Sequence, residues 1–364
     1  MNIRTSVKTA ISLLDQALGS RFLPAAREEG ALLCFLFHGL FERGEEVRSG
    51  VLDPQQGFTV EMFRAFLGHF CQQGYSFVSP GQILGGLQPS GKYILLTFDD
   101  GYCNNLRALP VMEEFNAPAV FFISSEHVRE GKAFWWDAAY REGRKHGKTE
   151  AEIRRTVAGY KRLKTEEVER DLKKEFGEDA LWPVGELDRP FTPGELRTFS
   201  EHRLVSLGNH TKNHAILTNY SLAEAREQIQ GGQDAIQEMT GKMPEMISYP
   251  NGNSSPEIQQ AARELGLPLG VVVRRGKNRL PLKMEAPEAM ALKRFTLWGD
   301  RGIAAQCRAS RADLSLSRLL SGFAAKTIAG WPKGSLRERF GENLLAIQSG
   351  EKKGRQSGGT GTND

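Results

Sequence analysis

Tyr93-Ile-Leu-Leu-Thr-Phe-Asp-Asp-Gly101 decides how this 364-residue chain is read. Tyr93 to Phe98 is apolar, aromatic or β-branched and carries no charge, which predicts a buried strand. The strand then stops at two adjacent carboxylates and a glycine. Asp99 and Asp100 place costly charge at the rim of a core, and two like charges this close need a cation or a proton. Asp-Asp-Gly alone is also an ordinary turn sequence, so the reading depends on what else the chain brings to that rim.

A second apolar run, Val205-Ser-Leu-Gly208, leads into Asn209-His-Thr-Lys-Asn-His214. The four-residue spacing of His210 and His214 puts both on one face of a helical turn. Taken alone, such a pair is more often a helix face than a metal site. Beside an aspartate, it matches the donor set of Zn²⁺, Co²⁺, Ni²⁺ or Fe²⁺, where two histidines and one carboxylate leave positions open for chemistry. One aspartate would then bind the metal. The other would serve as general base to the water the metal acidifies.

Working outward, short apolar runs alternate with helical periodicity. Strands are expected at Leu32–Phe37, Tyr93–Phe98, Pro118–Ile123, Leu204–Leu207, Met246–Tyr249, Leu269–Val273 and Leu292–Leu297, each followed by polar residues. Helices are expected at Val60–Gln72, Arg107–Phe115, Leu222–Met239 and Ser255–Leu265. This order predicts an α/β fold with a parallel sheet covered by helices. If the sheet closes, the carboxyl ends of all strands meet at one face. His38, Asp99, Asp100, His210, Asn251 and Arg294 then converge there; an open sheet would keep them apart.

Residues 128–200 interrupt the alternation after the third strand and read as a helical insertion, opened by Trp135-Trp136-Asp137. The tryptophan pair either stacks on a sugar ring or packs the insertion onto the barrel. Residues 161–174 mix both signs of charge and read as a solvated helix face. Residues 1–30 carry apolar residues at helical spacing, residues 31–345 form the barrel domain, and the polar, Gly-rich stretch 346–364 reads as a disordered tail.

Composition excludes some classes. Net charge is +4, with 40% hydrophobic and 25% charged residues, and no basic stripe interleaved with aromatics argues for nucleic acid. No run reaches the ~20 apolar residues of a membrane helix. With no secretion-signal pattern at the start, the expectation is a cytoplasmic protein, with peripheral membrane attachment as an alternative for the N-terminal helix. Cys34, Cys71, Cys103 and Cys307 show no CxxC pairing and read as buried free thiols.

Thr97-Phe98-Asp99-Asp100-Gly101 and His210-Thr211-Lys212-Asn213-His214 resemble the first two motifs of the polysaccharide deacetylase family, the homology domain of chitin, chitooligosaccharide and peptidoglycan N-deacetylases. Ser248-Tyr249-Pro250-Asn251-Gly252 resembles the third. The resemblance implies a distorted (β/α)7 barrel, a divalent metal (most often zinc) and hydrolysis of the N-acetyl group of an amino sugar. It implies Asp100, His210 and His214 as metal ligands, Asp99 as catalytic base, Thr211 as a brace of the histidine loop, and the peptide N–H of Asn251 as oxyanion donor. The substrate would be an N-acetylated saccharide in a polysaccharide or glycoconjugate precursor, such as a lipid- or nucleotide-linked sugar. Rival readings are a deformylase or other amide hydrolase on the same scaffold, and a non-catalytic sugar-binding barrel.

This chain departs from the family pattern in three places. Ser248 stands where the third motif often begins with an arginine that orients the base, and Arg294 is the candidate to supply that charge. A fourth motif, acidic with an aromatic, is not found. The fifth, a late Leu-x-His supplying the general acid, is missing, since no histidine follows His214. His38 is then the candidate acid, with a fourth metal ligand or a packing role as alternatives. His69, His127, His146 and His202 read as surface residues.

Overall fold

The computed structural model describes residues 28–312. Its strands are β1 (Ala31–Phe37), β2 (Ser76–Phe77), β3 (Lys92–Phe98), β4 (Ala119–Ile123), β5 (Val205–Asn209), β6 (Met246–Ser248), β7 (Leu269–Val272), β8 (Asn278–Arg279) and β9 (Leu292–Thr296). Seven of them coincide with the predicted apolar runs. The two-residue strands β2 and β8 are additional and too short to carry a periodic signal.

The sheet closes. β1 pairs in parallel with β3, Ala31 opposite Lys92 through Phe37 opposite Phe98, and also with β9, Cys34 opposite Arg294. The remaining pairs, β3–β4, β4–β5, β5–β6, β6–β7 and β7–β9, are all parallel, which completes a seven-strand barrel. β2 pairs at the start of β3 and β8 runs antiparallel to the start of β1, both far from the carboxyl ends.

Strand alternation sorts side chains into two layers. Leu33, Phe35 and Phe37 of β1 point outward, where Phe63, Phe66 and Phe70 of the helix Val60–Gln72 pack against them. Phe35 and Phe66 meet edge to face at 4.8 Å. Leu32 and Cys34 point inward with Leu95, Val120, Phe122 and Val271 and fill the barrel. The expected helix Arg107–Phe115 is split into a 3₁₀ turn, Cys103–Ala108, and a helix, Leu109–Glu114. Pro110 lies in the first turn of the latter, where its missing N–H costs least.

The insertion lies between β4 and β5 and contains the helices Trp135–Lys145, Glu150–Tyr160, Thr165–Phe176 and Pro193–Ser200. Trp135 and Trp136 are buried with Phe41, Leu52 and Tyr102 of the barrel loops, so they pack the insertion and offer no open face to a sugar. Cys34, Cys103 and Cys307 are buried free thiols, whereas Cys71 is exposed on its helix. His127 is fully buried, unlike the surface position expected of it: its ring stacks on Phe134 at 4.4 Å. Among the described residues no helix is long and apolar enough to cross a membrane. The helix expected over residues 1–30 and the tail over 346–364 lie outside the described residues, apart from Glu28–Gly30.

Candidate active site

Asp99 and Asp100 follow β3 at the carboxyl face and take different surroundings. The Asp99 N–H bonds Phe37 O at 2.9 Å, continuing the ladder to β1. Asp100 has φ 81° and Gly101 has φ 94°, so the chain turns sharply here, and both carboxylates approach His210 Nε2, Asp100 Oδ1 at 3.3 Å and Asp99 Oδ2 at 3.9 Å. Only a glycine takes the second of these positions without strain. Across the described residues, six non-glycine residues have positive φ, and Gln55, Asp100, Thr211, His214 and Asn251 among them all belong to this face. Backbone strain concentrated at one place marks a site whose geometry the surrounding fold enforces.

Arg294 grips Asp99 from β9. Its Nη1 donates to Oδ1 at 2.7 Å and its Nη2 to Oδ2 at 2.8 Å, a bidentate pair buried inside the barrel mouth. Ser248 Oγ donates to Asp99 Oδ2 at 3.0 Å, and Thr97 Oγ1 accepts from Arg294 at 3.1 Å. Burial, the largest influence, opposes ionisation of Asp99, but the charges of Arg294 and His210 and the Arg294 hydrogen bonds together outweigh it and hold the carboxyl below the ordinary range. Ser248 and Arg294 together thus occupy the place where one arginine was anticipated.

The histidine segment is a loop, not the helical turn its spacing suggested. Thr211 and His214 have φ 65° and 50°, in the left-handed region that an α-helix excludes. Asn209 Oδ1 accepts from the Thr211 N–H at 2.7 Å, and Thr211 Oγ1 accepts from the Ala215 N–H at 2.8 Å. These side-chain bonds replace a helical ladder and bend the chain until both rings face Asp100. Asp100 Oδ1 lies 3.3 Å from His210 Nε2 and 3.4 Å from His214 Nε2. The ligand atoms of the three residues all lie within 4.8 Å of one another.

The chemistry of these donors fits a divalent metal. His210 Nδ1 is 2.7 Å from Ser248 O, and a carbonyl only accepts, so Nδ1 carries the hydrogen. Nε2 of the neutral ring then turns a lone pair toward a carboxylate oxygen. Two acceptors face to face need a proton or a cation between them, and a backbone carbonyl on the outer nitrogen is the usual support of a metal-bound histidine. Burial disfavours charge on His210, but Asp99 and Asp100 outweigh it and raise its pKa. Burial and the His210 charge push His214 well below its usual value. For Asp100, burial is the largest influence, yet His38, His210 and His214 reverse it and lower the pKa.

His38 follows β1 directly, at the same carboxyl face as both aspartates. Its Nδ1 meets Gln56 Oε1 at 2.8 Å, while among the described residues Nε2 has no protein partner. Asn251, with φ 59°, follows β6; its side chain is exposed, and its N–H has no protein acceptor among the described residues.

Sequence reasoning missed the layer behind the metal candidates. Trp136 packs on His214 at 4.4 Å and donates through Nε1 to Tyr102 Oη at 2.9 Å. Tyr102 donates to the buried Asp137 at 2.7 Å, and Gln55 Nε2 lies 3.4 Å from Tyr102 Oη and 3.5 Å from Asp100 Oδ2. Trp135-Trp136-Asp137 was a visible signal for part of this layer, an acid beside aromatics; Gln55 and His127 carried none.

The family model described as polysaccharide deacetylase matches residues 86–270. YxkH of Bacillus subtilis strain 168 is 20% identical over 219 residues, 59% of this chain and 58% of YxkH, so the match spans little more than half of that relative. Among solved structures, BC0361, a polysaccharide deacetylase from Bacillus cereus, superposes with a TM-score of 0.53 at 15% identity, covering 78% of this chain and 69% of its own. The Streptococcus pyogenes deacetylase PplD, in complex with acetate, gives 0.52 at 17% identity, covering 77% of this chain and 98% of its own. At these identities the two structures speak to the fold alone: a closed (β/α)7 barrel.

Proposed function

The chain belongs to the polysaccharide deacetylase family, and on that premise we propose that it is a metal-dependent hydrolase that removes the N-acetyl group from an amino sugar of a polysaccharide or glycoconjugate. The observation that carries this reading is the convergence of Asp100, His210 and His214 beside an Arg294-bound Asp99. Asp100, His210 and His214 would hold the metal, with zinc the first expectation. A bound divalent ion polarises a carbonyl and lowers the pKa of a water to about 7.

The rest falls to this chain's own groups. Asp99 takes the proton of the attacking water; Arg294 and Ser248 fix the carboxylate's orientation and keep it ionised and ready to accept. The Asn251 N–H receives the oxygen on which negative charge develops, a contact worth ~3 kcal/mol of barrier. His38, through its unpartnered Nε2, delivers a proton to the departing amine. Asp99 and His38 then hold opposite protonation duties.

Metal content of the purified chain, measured beside acetate release from a panel of N-acetylhexosamine oligomers, tests the proposal. Metal at one equivalent with acetate release that Asp99→Asn abolishes is the expected result. A chain that binds these sugars but releases no acetate, before or after that change, is a sugar-binding barrel and not a hydrolase.

A further inference from the structure

Lys161 stands apart from the charged residues around it. The stretch 161–174 is otherwise solvated or paired: Lys164 meets Glu224 and Lys173 meets Glu178. Lys161 follows the insertion helix Glu150–Tyr160, and its Nζ donates to Asn251 Oδ1 at 2.9 Å, at the rim of the site. Among the described residues it forms no ion pair, although Asp53 and Asp100 both act on it through space. The side chain is open to solvent yet crowded by protein, so desolvation is the strongest influence on its ammonium.

The turn that carries Lys161 does not need this bond to dock. Asn219 Nδ2 donates to Lys161 O at 3.2 Å and to Leu163 O at 2.7 Å, and Tyr220 Oη accepts from the Thr165 N–H at 2.8 Å. Those contacts tie the insertion to the segment just after the histidine loop. Those contacts fix the backbone of the turn, while the ammonium itself has only a neutral amide oxygen, Asn251 Oδ1, as its partner among the described residues. A metal on Asp100, His210 and His214 would turn the pull of Asp100 on Lys161 into repulsion, and Arg294 is already committed to Asp99. An anion from a ligand displaces a neutral acceptor readily, because a full negative charge adds Coulomb attraction to the ammonium that an amide oxygen does not supply.

We propose that Lys161 recognises an anionic substituent, a carboxylate or a phosphate, on the glycan whose acetamido group enters the site. The Asn251 side chain that holds Lys161 is exposed, so the ammonium meets the substrate beside the reacting amide and not at it. This rests on the deacetylase reading for what occupies the pocket, but the charge preference is measurable without turnover. The full chain, loaded with zinc, is titrated by calorimetry at fixed ionic strength with glucosamine, glucosamine 6-phosphate and muramic acid. At least one anionic ligand is expected to bind about tenfold tighter than glucosamine, the size of one charged hydrogen bond. The two anionic arms tell phosphate from carboxylate. Lys161→Met is expected to erase that advantage, Lys161→Arg to keep most of it, and Lys173→Met to leave it unchanged. Equal affinity for all three ligands, or an advantage that survives Lys161→Met, overturns the proposal. Acetate release from neutral N-acetylglucosamine oligomers is measured alongside. Its absence with the charge preference intact would sink the hydrolase reading and leave the role of Lys161 standing.

Discussion

Asp99 and Asp100 are neighbours in sequence with opposite partners: one faces a guanidinium, the other two imidazoles. Their roles should therefore separate on substitution. His210→Ala or His214→Ala is expected to lose bound metal and acetate release together. Asp99→Asn should keep the metal and lower the rate by on the order of 10²- to 10⁴-fold, the usual span of a general base. Metal analysis and initial rates on the same preparations decide this, and a full rate from Asp99→Asn would remove Asp99 from the chemistry. Arg294→Met removes one member of a buried ion pair and should cost about 3–5 kcal/mol in urea unfolding. The same change in an Asp99→Asn background should cost much less, since no orphaned charge is left behind. The carboxylates, histidines and Arg294 were legible as residues because charge at the end of an apolar strand has few structural excuses. The Arg294–Asp99 pair spans 195 positions, and only closure of the sheet brings it together. His127 was not legible: nothing local in Ser124-Ser-Glu-His127 says that its ring will stack inside on Phe134.

Among the elements, the seven barrel strands were readable because each is a short apolar run with polar residues at its carboxyl end. The histidine loop was misread as helical because the i, i+4 spacing also occurs where side-chain bonds from Asn209 and Thr211 bend a loop. Helix starts are written more plainly. Thr192 and Glu195 form a capping box on the helix Pro193–Ser200, which closes the insertion, and Arg189 binds the same carboxylate at 2.8 and 2.9 Å. The Arg189 bonds are the main reason that the Glu195 pKa drops to about 2. A carboxyl depressed on folding stabilises the native state above its unfolded pKa of about 4.3 and loses that contribution as pH falls toward 2. Glu195→Gln should therefore destabilise the chain at pH 6 by about 1 kcal/mol, the ordinary size of a capping contact. The deficit should shrink to nothing near pH 2. Urea midpoints of both proteins across that range test the sign; a gap that widens on acidification would contradict it.

At the scale of the whole molecule, the sequence marks residues 128–200 as an interruption but does not say whether they fold as a domain of their own. The packing favours one cooperative body. Phe134, Trp135, Trp136, Val168 and Leu172 of the insertion share a single cluster with Phe41, Leu52 and Tyr102 of the barrel loops. Asp137, buried in the insertion, is held by the Asp53 N–H at 2.9 Å and by Tyr102 at 2.7 Å, both from the barrel side. Separating the two parts would expose an apolar cluster to water and break both hydrogen bonds of Asp137. We propose that barrel and insertion form one domain, and unfolding can decide it. Three of the five tryptophans, Trp135, Trp136 and Trp182, lie in the insertion, so fluorescence reports mainly on it, while far-UV circular dichroism reports on the whole fold. For a single cooperative unit the two probes give the same thermal midpoint. Trp136→Phe should lower both midpoints together, because the lost indole N–H bond sits in the shared cluster and not in an isolated lid. A fluorescence transition well below the dichroism transition would mean that the insertion melts off an intact barrel. The layer behind His214 would then be a removable cover and not part of the machinery that holds the site.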